Sequence, residues 1–273
     1  MHLRKNQSTH YLMAFLVLGL ASAAAQTQDN SQNSLLNGTY RFRDVAVQKV
    51  DSNYNPTEIT ATSGTITFDG AGNYVIVGTS LDNTVNNGSA RPLTVNGHYA
   101  IGANGAGYLE NPLYLGDQTD YVYGAVSQGV FTGSATETAL SGNYFNDIFI
   151  AIPTGAAPTN ASFTASYQVG LLDFPNANST SVKNALFKLA PDGAGHLANM
   201  TLSGQAEDQN GTLSQQIAGA TYNFAGDGTG TLTIPLPTGV VANNALITGT
   251  RTFYQSAGGN FVLGWNSAGY DII

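Results

Sequence analysis

The sequence predicts an all-β protein built from two tandem, internally duplicated antiparallel meanders, and three observations carry that prediction. Turn signals of the form Asp/Asn-Gly-x-Gly occur four times, in "FDGAGNY", "GANGAGY", "PDGAGHL" and "GDGTGTL". Residues beside them alternate at period two: Ile66 and Phe68 against Thr65 and Thr67, and Leu232, Ile234 and Leu236 against Thr231 and Thr233. The turns also keep constant spacing, since 104 − 69 = 35 and 227 − 192 = 35, with 192 − 69 = 123 between the pairs. Asp-Gly and Asn-Gly supply the positive φ of tight hairpins, so the four turns are expected hairpin tips.

The 123-residue shift carries other landmarks. Asn37–Tyr40 falls on Asn160–Phe163, Gly97–Tyr99 on Ala220–Tyr222 and Pro112-Leu113 on Pro235-Leu236, while Asp147–Phe149 meets Asp271–Ile273 with one residue of slippage. One unit of about 115 residues is therefore expected twice.

Taken in order, residues 1–25 read as a secretory signal peptide: Arg4 and Lys5, the apolar run Tyr11–Leu20, then Ala21–Ala25 with cleavage expected after Ala25. Residues 26–34 are a polar, flexible lead-in. The first repeat, 35–152, is expected to hold strands near 39–48, 64–69, 73–80, 93–102, 106–115, 120–127, 129–136 and 146–152. "PTGAAPTN", residues 153–160, is the linker. The second repeat, 161–273, is expected to hold strands near 163–172, 184–190, 196–203, 214–224, 229–236, 245–254, 260–265 and 269–273. Eight strands in a meander close into a barrel because closure removes exposed edges; two β-sandwiches or one shared sheet are the alternatives.

Composition limits the function. Removing the signal peptide takes Lys+Arg from 9 to 7 against 17 acids, so the formal charge moves from −8 to −10. That balance argues against a nucleic-acid partner. With no Cys there is neither a disulfide framework nor a lipidated cysteine. No membrane span is expected after signal removal, and an outer-membrane barrel would require longer strands and an apolar outer band. The expected location is periplasm, extracellular space or cell surface.

Candidate chemistry is sparse. His98 and His196 lie in different repeats and are not equivalent under the shift, a poor basis for a metal site or a triad. A carboxylate-dependent hydrolase would require convergence of a pair among Asp117, Asp120, Glu137 and Asp147, and Glu207-Asp208 read as solvated loop charges. Each Asp-Gly turn supplies one acid, too few for a calcium loop, and the glycines lack P-loop spacing. No catalytic residue, metal ligand or cofactor is assigned. Tyrosine is the more distinctive feature. "TDYVYGAV" puts Tyr121 and Tyr123 on one strand face, and Tyr40 and Tyr99 complete the ligand-binding candidates, aromatics with a polar tip that suit a cavity mouth.

Two motifs carry a resemblance. "NGTYRF", with Gly38-x-Tyr40, resembles the Gly-x-Trp opening of lipocalins, and Thr119-Asp120-Tyr121 resembles their second motif. The resemblance implies eight-stranded barrels that carry small hydrophobic molecules. It is confined to the first half, where the family's late Arg and following helix are missing. The chain is also similar to exported bacterial proteins built from tandem Gly-Thr-Tyr and Asp-Gly-x-Gly repeats, which imply no activity. The expected function is an exported, non-enzymatic binding module for a small apolar or aromatic ligand, with a cavity opening beside Tyr121 and Tyr123. The alternative is a surface or matrix structural protein that contacts polysaccharide, with solid cores and an exposed aromatic strip.

Overall fold

The computed structural model describes residues 29–53, 55–114, 120–138, 144–178 and 181–273. The signal peptide, Asp117 and Thr119 lie outside them. The first half contains β1 (Asn37–Val50), β2 (Pro56–Asp69), β3 (Asn73–Asp82), β4 (Arg91–Ile101), β5 (Ala106–Glu110), β6 (Tyr121–Ser127), β7 (Val130–Ser134), β8 (Thr136–Thr138) and β9 (Tyr144–Pro153). All neighbours are antiparallel in the order β1-β2-β3-β4-β5-β6-β7-β9, and β1 pairs back onto β9 to close an eight-stranded barrel; β8 adds to β9.

The interior is filled. Phe42, Ile66, Phe68, Tyr74, Ile101 and Phe149 are among the buried residues of one continuous core. Strand β2 begins at Pro56, well before the expected 64. Its early part hides from a period-two reading because both faces are buried. Thr60 and Thr62 sit opposite Ala46 and Asp44 on the inner face, while Ile59 and Ala61 join the apolar seam against the second half. Gly64 stands opposite Gly78, and a Cβ on either would strike the facing backbone, so this stretch of wall admits only glycine.

Residues 29–34 are tied down, in contrast to the flexible lead-in expected. Asn33 is buried; its side-chain oxygen accepts the Ile101 N–H at 2.8 Å, and Asp29 accepts the Ala103 N–H at 2.9 Å. This segment plugs the barrel end below Tyr99.

The second half contains β10 (Tyr167–Asp173), β11 (Lys183–Leu189), β12 (Met200–Ala206), β13 (Leu213–Ile217), β14 (Thr221–Phe224), β15 (Gly230–Ile234), β16 (Gly249–Gln255), β17 (Val262–Trp265) and β18 (Asp271–Ile272). They form two open sheets, β13-β12-β11-β10-β18 and β14-β15-β16-β17, where one continuous eight-stranded barrel was expected. Between β13 and β14 the chain passes through Gly219 at φ 74°, in the left-handed region, and changes sheet there. Bonds still cross both gaps: His196 bridges Thr221, and Gly264 and Ile273 exchange two N–H···O bonds of 2.8 Å.

The halves share an apolar seam that includes Val45, Leu81, Phe174, Trp265 and Tyr270. At its centre Arg43, on the outer face of β1, donates to Asp271 O at 2.9 Å and Gly269 O at 2.6 Å and lies over Trp265.

Candidate functional site

The four tyrosine candidates divide into two pairs. Tyr40 and Tyr99 are each 3% exposed and pack edge-on against Phe68 at ring separations of 5.1 Å. Tyr99 donates its hydroxyl to Leu36 O at 2.8 Å, and burial pushes its pKa up to about 12. Both are core residues. Tyr121 and Tyr123 point away from the interior because Val122, opposite Leu109, takes the inward position between them. Tyr123 is 58% exposed, and with Tyr108 the two make an outer strip with ring separations of 4.6–6.3 Å. Beside it the His98 ring meets Glu110 at 3.0 Å. The expected cavity mouth at Tyr121 and Tyr123 is therefore an exterior aromatic surface.

The polar end of the barrel collects carboxylates. Asp44 lies beside the core on the inner face of β1; its Oδ2 faces the Thr62 hydroxyl at 3.5 Å, and its buried Oδ1 has no partner among the described residues. Asp147, opposite Ala46, accepts the Ala135 N–H, and its Oδ2 likewise has no partner among the described residues. Asp120 accepts from Asn111 Nδ2 at 3.0 Å. Burial, then the Asp147 charge, pushes Asp44 well above the usual carboxylate range, and burial pushes Asp147 up to about 7, with Asp120 adding to the shift. Of the expected hydrolase carboxylates, Asp120 thus acts on Asp147, Asp117 lies outside the described residues, and the Glu137 side chain lies outside what is described. Asp44 was missed by sequence reasoning. Its shared parity with Phe42 and Ala46 is the signal that places it inside.

The turn acids are occupied by their own backbone. Asp69 Oδ1 accepts the N–H groups of Ala71, Gly72 and Asn73, which, with the Asn73 side chain first, lowers its pKa to about 2. Among the described residues no group of three metal-ligating side chains converges, and no helix is long and apolar enough to cross a membrane.

A further concavity lies in the seam. A groove of about 690 Å³ runs between the outward side of β9, at Ile148 and Ile150, and the outward side of β10 and β11, at Gly170, Leu172 and Leu186, with Phe261 at its edge. Strand alternation explains it. Phe149 and Val169 go to the two interiors, which leaves Ile148, Ile150 and Gly170 facing each other across the groove. Leu186, 70% exposed, stands at the opening, and a Cβ on Gly170 would meet nothing closer than Leu186 Cδ2 at 3.8 Å. Sequence reasoning missed this site because it joins residues of both halves.

No protein-family model, curated protein or solved structure matches the chain.

Proposed function

We propose that the protein is an exported, non-enzymatic binding module whose small apolar or aromatic ligand sits in the seam groove. The observation that carries this reading is the groove itself: about 690 Å³, walled by Ile148, Ile150, Leu172 and Leu186. That volume lies in the usual small-molecule range of roughly 300–1,000 Å³, and Ser166, Gln168, Asn184 and Asn260 add polar groups to the apolar wall. Export rests on the basic, apolar and Ala-rich order of residues 1–25. The closed meander of the first half has a filled interior, which supports placing the ligand on its flank.

On the same reading the second half is a worn copy of the first. Supporting this, Asn160 accepts the Phe224 N–H at 2.8 Å as Asn33 accepts that of Ile101, and Tyr222 N–H donates to Gly195 O as Tyr99 N–H does to Gly72 O, both at 2.9 Å. These matches align Asn160 with Asn33, displacing the sequence pairing of Asn160 with Asn37.

An environment-sensitive apolar dye tests the groove. Wild type is expected to bind it saturably, and Gly170→Leu, which fills the groove from an extended strand position, is expected to weaken binding about tenfold at an unchanged melting temperature. Equal binding by both proteins rejects the proposal. The second reading, polysaccharide contact, is favoured by the Tyr108–Tyr121–Tyr123 strip. Glycan-array binding lost in Tyr123→Ser, with no dye binding in wild type, would select it.

A further inference from the structure

The polar end of the second half contains a separate cavity of about 380 Å³, lined in part by Asp173, Lys183, Asn243, Leu246, Thr248 and Arg251. Its two basic side chains are buried, Lys183 at 7% exposure and Arg251 at 5%. The Lys183 ammonium donates to Asn243 O and Ala245 O, each at 2.8 Å, and has three donors to place. Among the described residues no acceptor takes the third. Arg251 donates through Nη1 to Thr248 O at 3.0 Å and Thr250 O at 3.2 Å, and its Nε faces Asp271 Oδ2 at 2.5 Å. Its Nη2 has no acceptor among the described residues.

A buried donor without an acceptor is costly, and a bound acceptor removes the cost.

We propose that this cavity binds a small organic monocarboxylate, its oxygens accepting from Lys183 Nζ and Arg251 Nη2. Leu246 and Ile247 offer an apolar wall to the remainder of the ligand. Asp173 inside and the exposed Asp208 at the rim disfavour anions with two or more charges. The site lies on the inner side of the second half and the seam groove on the outer side, so Gly170→Leu leaves it intact.

Calorimetry on the full chain at pH 7, with benzoate and its neutral isostere benzamide as probes, decides the matter. Benzoate is expected to bind at least about tenfold more tightly than benzamide, the value of one charge-assisted hydrogen bond. Lys183→Met is expected to lose about tenfold in benzoate affinity, and Asp173→Asn, which removes the competing carboxylate, to gain several-fold. If Lys183→Met does not fold, the benzoate/benzamide ratio and the Asp173→Asn gain still decide. Equal affinity for the two probes, no benzoate binding at millimolar concentration, or weaker binding by Asp173→Asn overturns the proposal.

Discussion

Asp147 lies on β9 near the end of the first half and Asp271 on β18 near the end of the second, and both are buried. Their surroundings differ in one respect. Asp271 has Arg251 at 2.5 Å and Arg43 at 4.0 Å. Asp147 forms no ion pair among the described residues, and its neighbours Asp44 and Asp120 carry the same sign of charge. Arg43 reaches Asp44 only from the far side of β1, because its guanidinium is bonded into the second half. Asp271 therefore lies among cations, whereas burial and like charge raise Asp44 and Asp147 and favour their protonated forms. A buried carboxylate in a β-barrel end accepts either solution, but the two respond to pH and to mutation in opposite ways.

The largest expected effect comes from breaking the cation-matched end. Arg43→Met takes away one of the two arginines beside Asp271, removes two hydrogen bonds to the second half and loosens the seam at Trp265. Urea denaturation should show a loss of about 3–5 kcal/mol, two hydrogen bonds from a charged donor at about 1.5–3 kcal/mol each.

Next in size is the pH response of the proton-matched end. Burial holds Asp147 at about 7 against 3.8 for the free side chain and raises Asp44 well above the usual range; in the second half burial, then the Asp271 charge, raises Asp173 to about 6 and adds to the response. A carboxylate with a raised folded value holds its proton more tightly when folded. Stability is then greatest below the unfolded value and falls as pH rises through the window from about 4 to about 7. Melting at pH 5 and pH 8 should differ by on the order of 2 kcal/mol in favour of pH 5. The exposed turn acids Asp69 and Asp192 are lowered, so their titration lies below this window.

Smaller effects sharpen the structural side of the comparison. Gly219 separates β13 from β14 at φ 74°. Gly219→Val should cost about 1–2 kcal/mol by thermal denaturation, because the left-handed region is closed to a β-branched residue. Tyr123→Ser, on the exposed strip, should change stability by only about 0.5 kcal/mol.

Much of the scaffold is legible from residues alone, and the reasons are local. Asp69-Gly70 and Asp192-Gly193 carry their own turn chemistry, and the flanking threonines alternate with Ile, Leu and Phe on strands with one solvated face. Legibility ends where a strand is buried on both faces. In "RFRDVAV" Phe42, Asp44 and Ala46 face the interior while Arg43 and Val45 face the other half, so alternation of apolar and polar residues disappears. Tyr121 and Tyr123 share a face as expected, but the side of the wall was decided by Val122, a residue with no polar signal. The contacts that define both candidate sites are long-range. Arg43 and Asp271 are 228 residues apart, and the groove joins β9 to β10 and β11; no spacing rule connects such positions.

The most direct test of the proton-versus-cation contrast is one substitution made twice. Asp147→Asn and Asp271→Asn should be compared by urea denaturation at pH 8. Asp147→Asn is expected to stabilise the protein by about 1–2 kcal/mol and to flatten its pH dependence, because the amide replaces a carboxylate with no counter-charge. Asp271→Asn is expected to destabilise it by about 3–5 kcal/mol, because two arginines lose their partner. Changes of the same sign at both positions would contradict the account.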